Sequence, residues 1–167
     1  MDEMRRNELI AQYADGHRVV VAALEGITDA EMDAREGLGE WSPRQIIHHL
    51  ADSEMMSAAR LRRLLVEDGP VMQGYDQEAF ARGLPYDLPI DGSLAVFKSV
   101  REANTPILRW MTREDWQRSG THSDSGAYGT ERWLEILAVH AHGHADQIRR
   151  ARAAAHMVEH NADRMIE

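Results

Sequence analysis

The sequence predicts an all-α fold, a four-helix bundle with a long crossover connection between its second and third helices. Three observations predict it. Four long segments place apolar residues at helical spacing. Strand signals are nearly absent: there are only two Phe, and the one clear β-branched run, VVVAAL at 19–24, lies inside a longer helical pattern. Residues 69–90 hold three of the five prolines and three glycines, a stretch too long for a tight turn and suited to a crossover or a cover.

The elements follow in order. Helix one reads from about Asp2 to Leu24, with Leu9, Tyr13, Val20 and Leu24 near one stripe and Gly26 as its stop. Thr28-x-x-Glu31 has the pattern of a capping box opening a short turn. Helix two begins at Ser42-Pro43-Arg44-Gln45, where an N-cap hydroxyl precedes Pro at the first helical position and Gln can reach back. Its stripe is Ile46, Ile47, Leu50, Ser57, Leu61, Leu64 and Leu65, and Asp68-Gly69-Pro70 ends it. GYDQEAFA at 74–81 suggests a short helix within the crossover.

Helix three reads from about Ser93 to Met111, with Leu94, Phe97, Ile107 and Trp110 near one face and a kink or break expected at Pro106. Thr112-Arg113-Glu114-Asp115 looks like another helix start, ending near Trp116, and 118–129 is loop by composition. Helix four reads from Thr130 to about His156 on a stripe of Trp133, Leu137, Ile148 and Ala151. The four tryptophans, at 41, 110, 116 and 133, read as core or loop anchors. The whole chain, 1–167, is expected to be a single domain with its core over about 5–152 and a polar tail over 157–167 that frays.

Composition narrows the function. A net charge of −9 argues against a nucleic-acid binder, and the arginines of RLRR (60–63) and RRAR (149–152) read as solvated helix faces. No apolar run is long enough to span a membrane, and the charged start MDEMRRNELI does not read as a signal peptide. With no cysteine there is no disulfide and no thiolate ligand or nucleophile, so a metal must sit on His, Asp or Glu. The same absence fits a cytoplasmic protein.

The chemistry-bearing residues are histidines in two distant segments, WSPRQIIHHLADSE (41–54) and LAVHAHGHADQI (137–148). Residues i and i+4 share a helix face. His140 and His144 satisfy this and fall in the stripe of Leu137 and Ile148, whereas His142, about 200° around from His140, should face solvent or a partner chain. Relative to Leu50, His49 is about 100° away, at the edge of the buried face, and His48 about 160° away, almost opposite it. His49, His140 and His144 are therefore the candidate metal ligands. Glu54 lies about 40° from Leu50, inside the apolar stripe. A carboxylate there needs a partner, whether a ligand imidazole, the metal itself or an arginine. Asp52 is a second carboxylate in local reach. Either can support an imidazole or carry protons.

Neutral imidazoles suit zinc, nickel, iron or copper, and three protein ligands with open positions are the pattern of a reactive site. The plainer reading is that an i,i+4 histidine pair arises by chance and that buried histidines only satisfy hydrogen bonds. The histidines at 17, 122, 156 and 160 read as surface or loop residues, with His122 set apart because its loop precedes helix four. HExxH is absent, as are a Ser-His-Asp order and a phosphate-cradling glycine loop.

Taken together, W-S-P-x-x-I-x-x-H-L-x-D-S-E (41–54) and H-x-x-x-H-x-x-Q-I (140–148) resemble the DinB-like superfamily, in particular its YfiT-type branch of metal-dependent hydrolases. GYDQEAFA and the THSDSGAYGT segment before the last helix resemble that branch too, and the similarity spans about 5–152. The resemblance implies a four-helix bundle with a long crossover, often dimeric. It implies a divalent metal, zinc or nickel, on three histidines, which carry over to His49, His140 and His144. Some members are S-transferases that use bacillithiol, mycothiol or glutathione, the metal activating the thiol.

The expectation is therefore a metal-dependent enzyme that transfers a low-molecular-weight thiol to a small electrophilic substrate; the absence of cysteine fits, since the nucleophile would arrive with the cosubstrate. The alternatives are a hydrolase working through metal-bound hydroxide, with Glu54 or Asp52 moving protons, and a non-catalytic metal-binding or stress-response protein. A homodimer is expected, with neither nucleic acid nor membrane as partner.

Overall fold

A computed structural model describes residues 1–164, with side chains as far as Met157. His160 and most of the polar tail expected over 157–167 thus lie outside the described side chains. Helix α1 spans Glu3–Leu24, capped by Asp2, whose carboxylate accepts from the Arg5 amide at 2.7 Å. Helix α2, Asp29–Met32, is a single turn opened by the reciprocal Thr28–Glu31 capping box. The second long helix, α3, spans Pro43–Val66 behind the Ser42–Gln45 capping box. Because the Ser42 hydroxyl satisfies the Gln45 amide, Ser42→Ala is expected to cost about 1 kcal/mol, read as a lowered midpoint in urea unfolding with unchanged helix content.

The crossover holds strand β1 (Val71–Met72) and helix α4 (Gln77–Gly83). Helix α5, Asp91–Trp110, continues through Pro106, so the break expected there does not occur. A 3-10 turn at Asp115–Gln117 follows. Helix α6 runs from Thr130 to Arg164, longer than its apolar stripe implied. Helices α1, α3, α5 and α6 form the four-helix bundle.

Residues 118–129 are not irregular, as their composition suggested. Strands β2 (Ser119–His122) and β3 (Gly126–Gly129) form an antiparallel hairpin, and β1 joins β2 in parallel with Val71 opposite Thr121. The hairpin turns on Gly126 at φ +77°, a left-handed conformation that costs glycine little. A side chain at Gly120 would run into the Pro70 carbonyl, so glycine there lets the start of β1 lie against β2.

Two of the three RLRR arginines reach this small sheet from the helix surface, while Arg62 donates to Asn104 of α5 at 2.7 Å. Arg60 donates to the Gln73 carbonyl at 2.7 Å and Arg63 to that of Val71 at 2.8 Å. Arg152 likewise leaves the surface role expected of it. It donates to Glu31 at 2.9 Å and to the Ala23 and Glu25 carbonyls at 2.8 and 3.0 Å, closing the C-terminus of α1.

The core has two parts. One packs Leu9, Ile10, Leu61, Leu64, Trp133 and Leu134 at the sheet end of the bundle. The other packs Val20, Ile46, Ile47, Leu50, Phe97 and Ile148. Each fully buried aliphatic side chain contributes about 1.5–3 kcal/mol. Trp116 and Trp133 are buried as expected, but Trp110 is 72% exposed because it ends α5 beyond the reach of its neighbours.

Where the two parts meet, the bundle is polar. Arg101 of α5 and Glu54 of α3 are buried together. The Arg101 Nε donates to Glu54 Oε1 at 2.8 Å, and its terminal nitrogens donate to the Tyr13 and Leu137 carbonyls at 2.5 and 3.1 Å. The Tyr13 hydroxyl donates to Glu54 Oε2 at 2.8 Å and accepts from Asn104 at 3.0 Å. The guanidinium also lies over the rings of Tyr13 and Phe97. One side chain thus ties all four long helices. Gly16 lets α1 pass against it, since a side chain there would collide with the guanidinium.

Candidate metal centre

His49 is carried by the second turn of α3, beside Ile46, Ile47 and Leu50, which fix that face inward. His140 and His144 stand one turn apart on α6, flanked by the buried Ala141, Ala145 and Ile148. Small residues at 141 and 145 let α6 come close. The three side chains meet. His140 Nε2 lies 3.3 Å from His49 Nε2 and 3.2 Å from His144 Nε2. One ring nitrogen from each residue falls within 4.8 Å of the other two.

The donor set fits a divalent ion. Two nitrogens on one zinc at about 2.0–2.1 Å in a tetrahedral arrangement stand roughly 3.3–3.4 Å apart, close to the two separations observed. A ligand imidazole must also be neutral, and burial keeps these so. His49 is pushed down to about 3 by burial, with His144 adding to the effect. His140 is pushed well below the ordinary imidazole value by burial, then by His144, His49 and Arg101. Burial lowers His144 as well, against the opposing pull of its bond to Gln147. His140 Nδ1 is buried with no hydrogen-bond partner among the described residues.

The surrounding residues include some that periodicity did not single out. Trp41, at the entry to α3, packs its ring 4.6 Å from that of His49 and lies near parallel to that of His144 at 6.3 Å. Gln147 bonds His144 Nδ1 at 2.9 Å. The i,i+3 spacing from His144 was the signal that could have found it.

The two candidate carboxylates are engaged elsewhere. Glu54 pairs with Arg101, the third of the partners its position allowed, and with Tyr13. Asp52 accepts from the Tyr86 hydroxyl of the crossover at 2.6 Å. Neither bonds a histidine of the cluster among the described residues.

The facing argument needs two corrections. His48 is not turned to solvent but buried, with Nδ1 2.7 Å from Ser93 Oγ and Nε2 3.1 Å from the Leu88 carbonyl. The crossover and the start of α5 cover the side of α3 that the stripe left open. His142 is half-buried against α1, 3.9 Å from Asp15. His48→Ala is therefore expected to lower stability by about 1–3 kcal/mol through the polar partners it strands, while metal stoichiometry stays that of the wild type. Thermal unfolding beside elemental analysis checks both halves, and a loss of metal would place His48 in the centre.

Among the described residues no helix is long and apolar enough to cross a membrane. Residues 12–148 match the DinB superfamily. A protein of Oceanobacillus iheyensis named "Putative metal-dependent hydrolase" is 31% identical over 142 residues, covering 85% of this chain and 83% of the relative. YfiT of Bacillus subtilis, which carries the same name, is 34% identical over 129 residues, covering 75% of this chain and 72% of its own. The solved structure of YfiT, described as "a probable metal-dependent hydrolase with an unusual four-helix bundle topology", superposes with a TM-score of 0.87 at 27% identity, covering 92% of this chain and 89% of that one. With the family match over most of its length and the YfiT topology in its bundle, this chain belongs to the DinB superfamily.

Proposed function

We propose that the protein is a divalent-metal-dependent enzyme in which His49, His140 and His144 hold one ion, zinc or nickel, and that it transfers a low-molecular-weight thiol to an electrophilic small molecule. The observation that carries this reading is the meeting of three imidazole nitrogens from two helices in a cluster that contains no carboxylate. Three protein donors leave coordination positions open, the pattern of reactive rather than structural sites. An ion bound there lowers the pKa of a thiol or water that takes an open position, making it a nucleophile at neutral pH.

The protein's own groups favour the thiol. The oxygens of Glu54 are committed to Arg101 and Tyr13, and Asp52 is held by Tyr86, which leaves neither poised as a general base. A thiol with an ordinary pKa of about 8.5 needs far less help to ionise than water at about 15.7. The chain has no cysteine, so the sulfur must come with the cosubstrate. On this reading Glu54 positions α3 through Arg101, Asp52 anchors the crossover through Tyr86, and Trp41 forms an aromatic wall beside two ligand rings. A homodimer belongs to the same proposal and is read directly by sedimentation.

The second reading is hydrolysis, favoured by the names of the relatives from Oceanobacillus iheyensis and Bacillus subtilis. One experiment separates the two. Zinc- and nickel-loaded protein is given glutathione, bacillithiol or mycothiol with a chloronitroaromatic acceptor and, in parallel, activated esters and amides. Metal-dependent thiol consumption, lost in His49→Ala, is expected. Metal-dependent ester or amide cleavage without thiol consumption selects the hydrolase. Neither activity from fully loaded protein points to a non-catalytic metal-binding role.

A further inference from the structure

The His144 ring is addressed from both sides. Its Nε2 faces the cluster, and its Nδ1 lies 2.9 Å from Gln147 Oε1. Gln147 Nε2 in turn lies 3.3 Å from Glu40 Oε2, across 107 residues of chain. The chemistry of these three groups fixes their orientation. A carboxylate only accepts, so the amide must present its NH2 to Glu40 and its oxygen to His144. An amide oxygen also only accepts, so the proton between Gln147 and His144 must sit on Nδ1. A neutral imidazole carries one proton, which leaves the Nε2 lone pair free and aimed at the other two histidines.

We propose that Gln147 and Glu40 are positioning residues of the metal centre: Gln147 holds His144 as the Nδ1–H tautomer, and Glu40 holds Gln147. The proposal rests on the three-histidine metal reading above. The relay also ties the segment before α3 to the middle of α6. Glu40 is followed directly by Trp41, whose ring lies beside His49 and His144. Hydrogen bonding and packing thus converge on the same imidazole from one short stretch of backbone. The neighbouring His140 has no such partner at its Nδ1 among the described residues, so of the two ligands on α6 it is His144 whose tautomer the chain itself selects.

The test uses Gln147→Leu, Glu40→Ala and the exchange pair Glu40→Gln with Gln147→Glu. The pair restores an amide N–H facing a carboxylate, with the carboxylate now accepting from His144. Long-range proton–nitrogen correlation spectra of the metal-free proteins read the His144 tautomer, and competition titration with zinc reads affinity. Wild type is expected to show Nδ1–H at His144. Gln147→Leu should show mixed tautomers and about 10–100-fold weaker zinc binding. Glu40→Ala should fall only a few-fold, since its contact is long and exposed, and the exchange pair should return near wild type.

Circular dichroism confirms that each variant is folded, and the exchange pair keeps the test open should Gln147→Leu not fold. A His144 that keeps the Nδ1–H tautomer without Gln147, or zinc affinity unchanged by its loss, overturns the relay. An exchange pair no better than Gln147→Leu also overturns it. Wild type that binds no zinc overturns the metal reading itself, and the tautomer spectra still report on Gln147 separately.

Discussion

Replacing His49 and His144 together with alanine is expected to abolish stoichiometric metal binding, from about one zinc or nickel per chain in the wild type to a trace. Each substitution removes one of three nitrogens. His140 alone then remains, and its Nε2 loses both neighbours at 3.2–3.3 Å. A lone imidazole does not hold a divalent ion against buffer and competing protein surface. Elemental analysis of purified, untagged protein measures this directly, and circular dichroism should show the helices retained. They should be, because the core around the site is carried by Ile46, Ile47, Leu50 and Ile148, none of which is altered. Full occupancy in the double variant would mean that the ion, if bound, sits elsewhere. His142→Ala is the matched control, since His142 faces Asp15 of α1 rather than the cluster, and its metal content should be unchanged.

Much of this site is legible in the sequence, for a geometric reason. His140 and His144 share a stripe with Leu137 and Ile148, and a stripe that must be buried takes its histidines with it. The argument works less well for His48. An angle measured from one stripe assumes that a helix has one covered side, and α3 has two. Helix α6 covers the side bearing His49, while Leu88, Ser93 and Tyr86 cover the side bearing His48. The hairpin at 118–129 escaped for a different reason. Its strands are short and rich in Gly, Ser and Thr, and two ladders plus arginine bonds to backbone carbonyls, not an alternating apolar face, hold the sheet. Trp110 shows the limit at a helix end, where periodicity still assigns a face although no neighbour reaches it. Arg101 was legible in principle. It falls four residues after Phe97, inside the stripe of α5, and a charge in an apolar stripe calls for a partner just as Glu54 did.

Arg101→Met is expected to destabilise the protein by about 3–5 kcal/mol, the cost of leaving a buried charge without its counter-ion. Glu54 is fully buried and would keep only the Tyr13 hydroxyl. For a chain of this size the loss corresponds to a melting temperature lower by about 6–20 °C. The double variant Arg101→Met with Glu54→Gln should recover most of the difference, because removing both charges together is often nearly neutral. Burial already pushes the Glu54 carboxyl above its ordinary value, against the pull of Arg101 and Tyr13. Without Arg101 it rises further, so the folded state holds that proton more tightly than the unfolded chain. The deficit of the single variant should then be full at high pH and should shrink as pH falls toward the unfolded value of 4.5. The Glu54→Gln partner removes that dependence. A single variant that melts with the wild type at neutral pH would show that the pair contributes little. The site should respond too. Arg101 binds the Leu137 carbonyl, one turn before His140, and Glu54, five residues after His49. It is the strut that sets the two histidine-bearing helices against each other, so zinc affinity should weaken in Arg101→Met although no ligand has been touched.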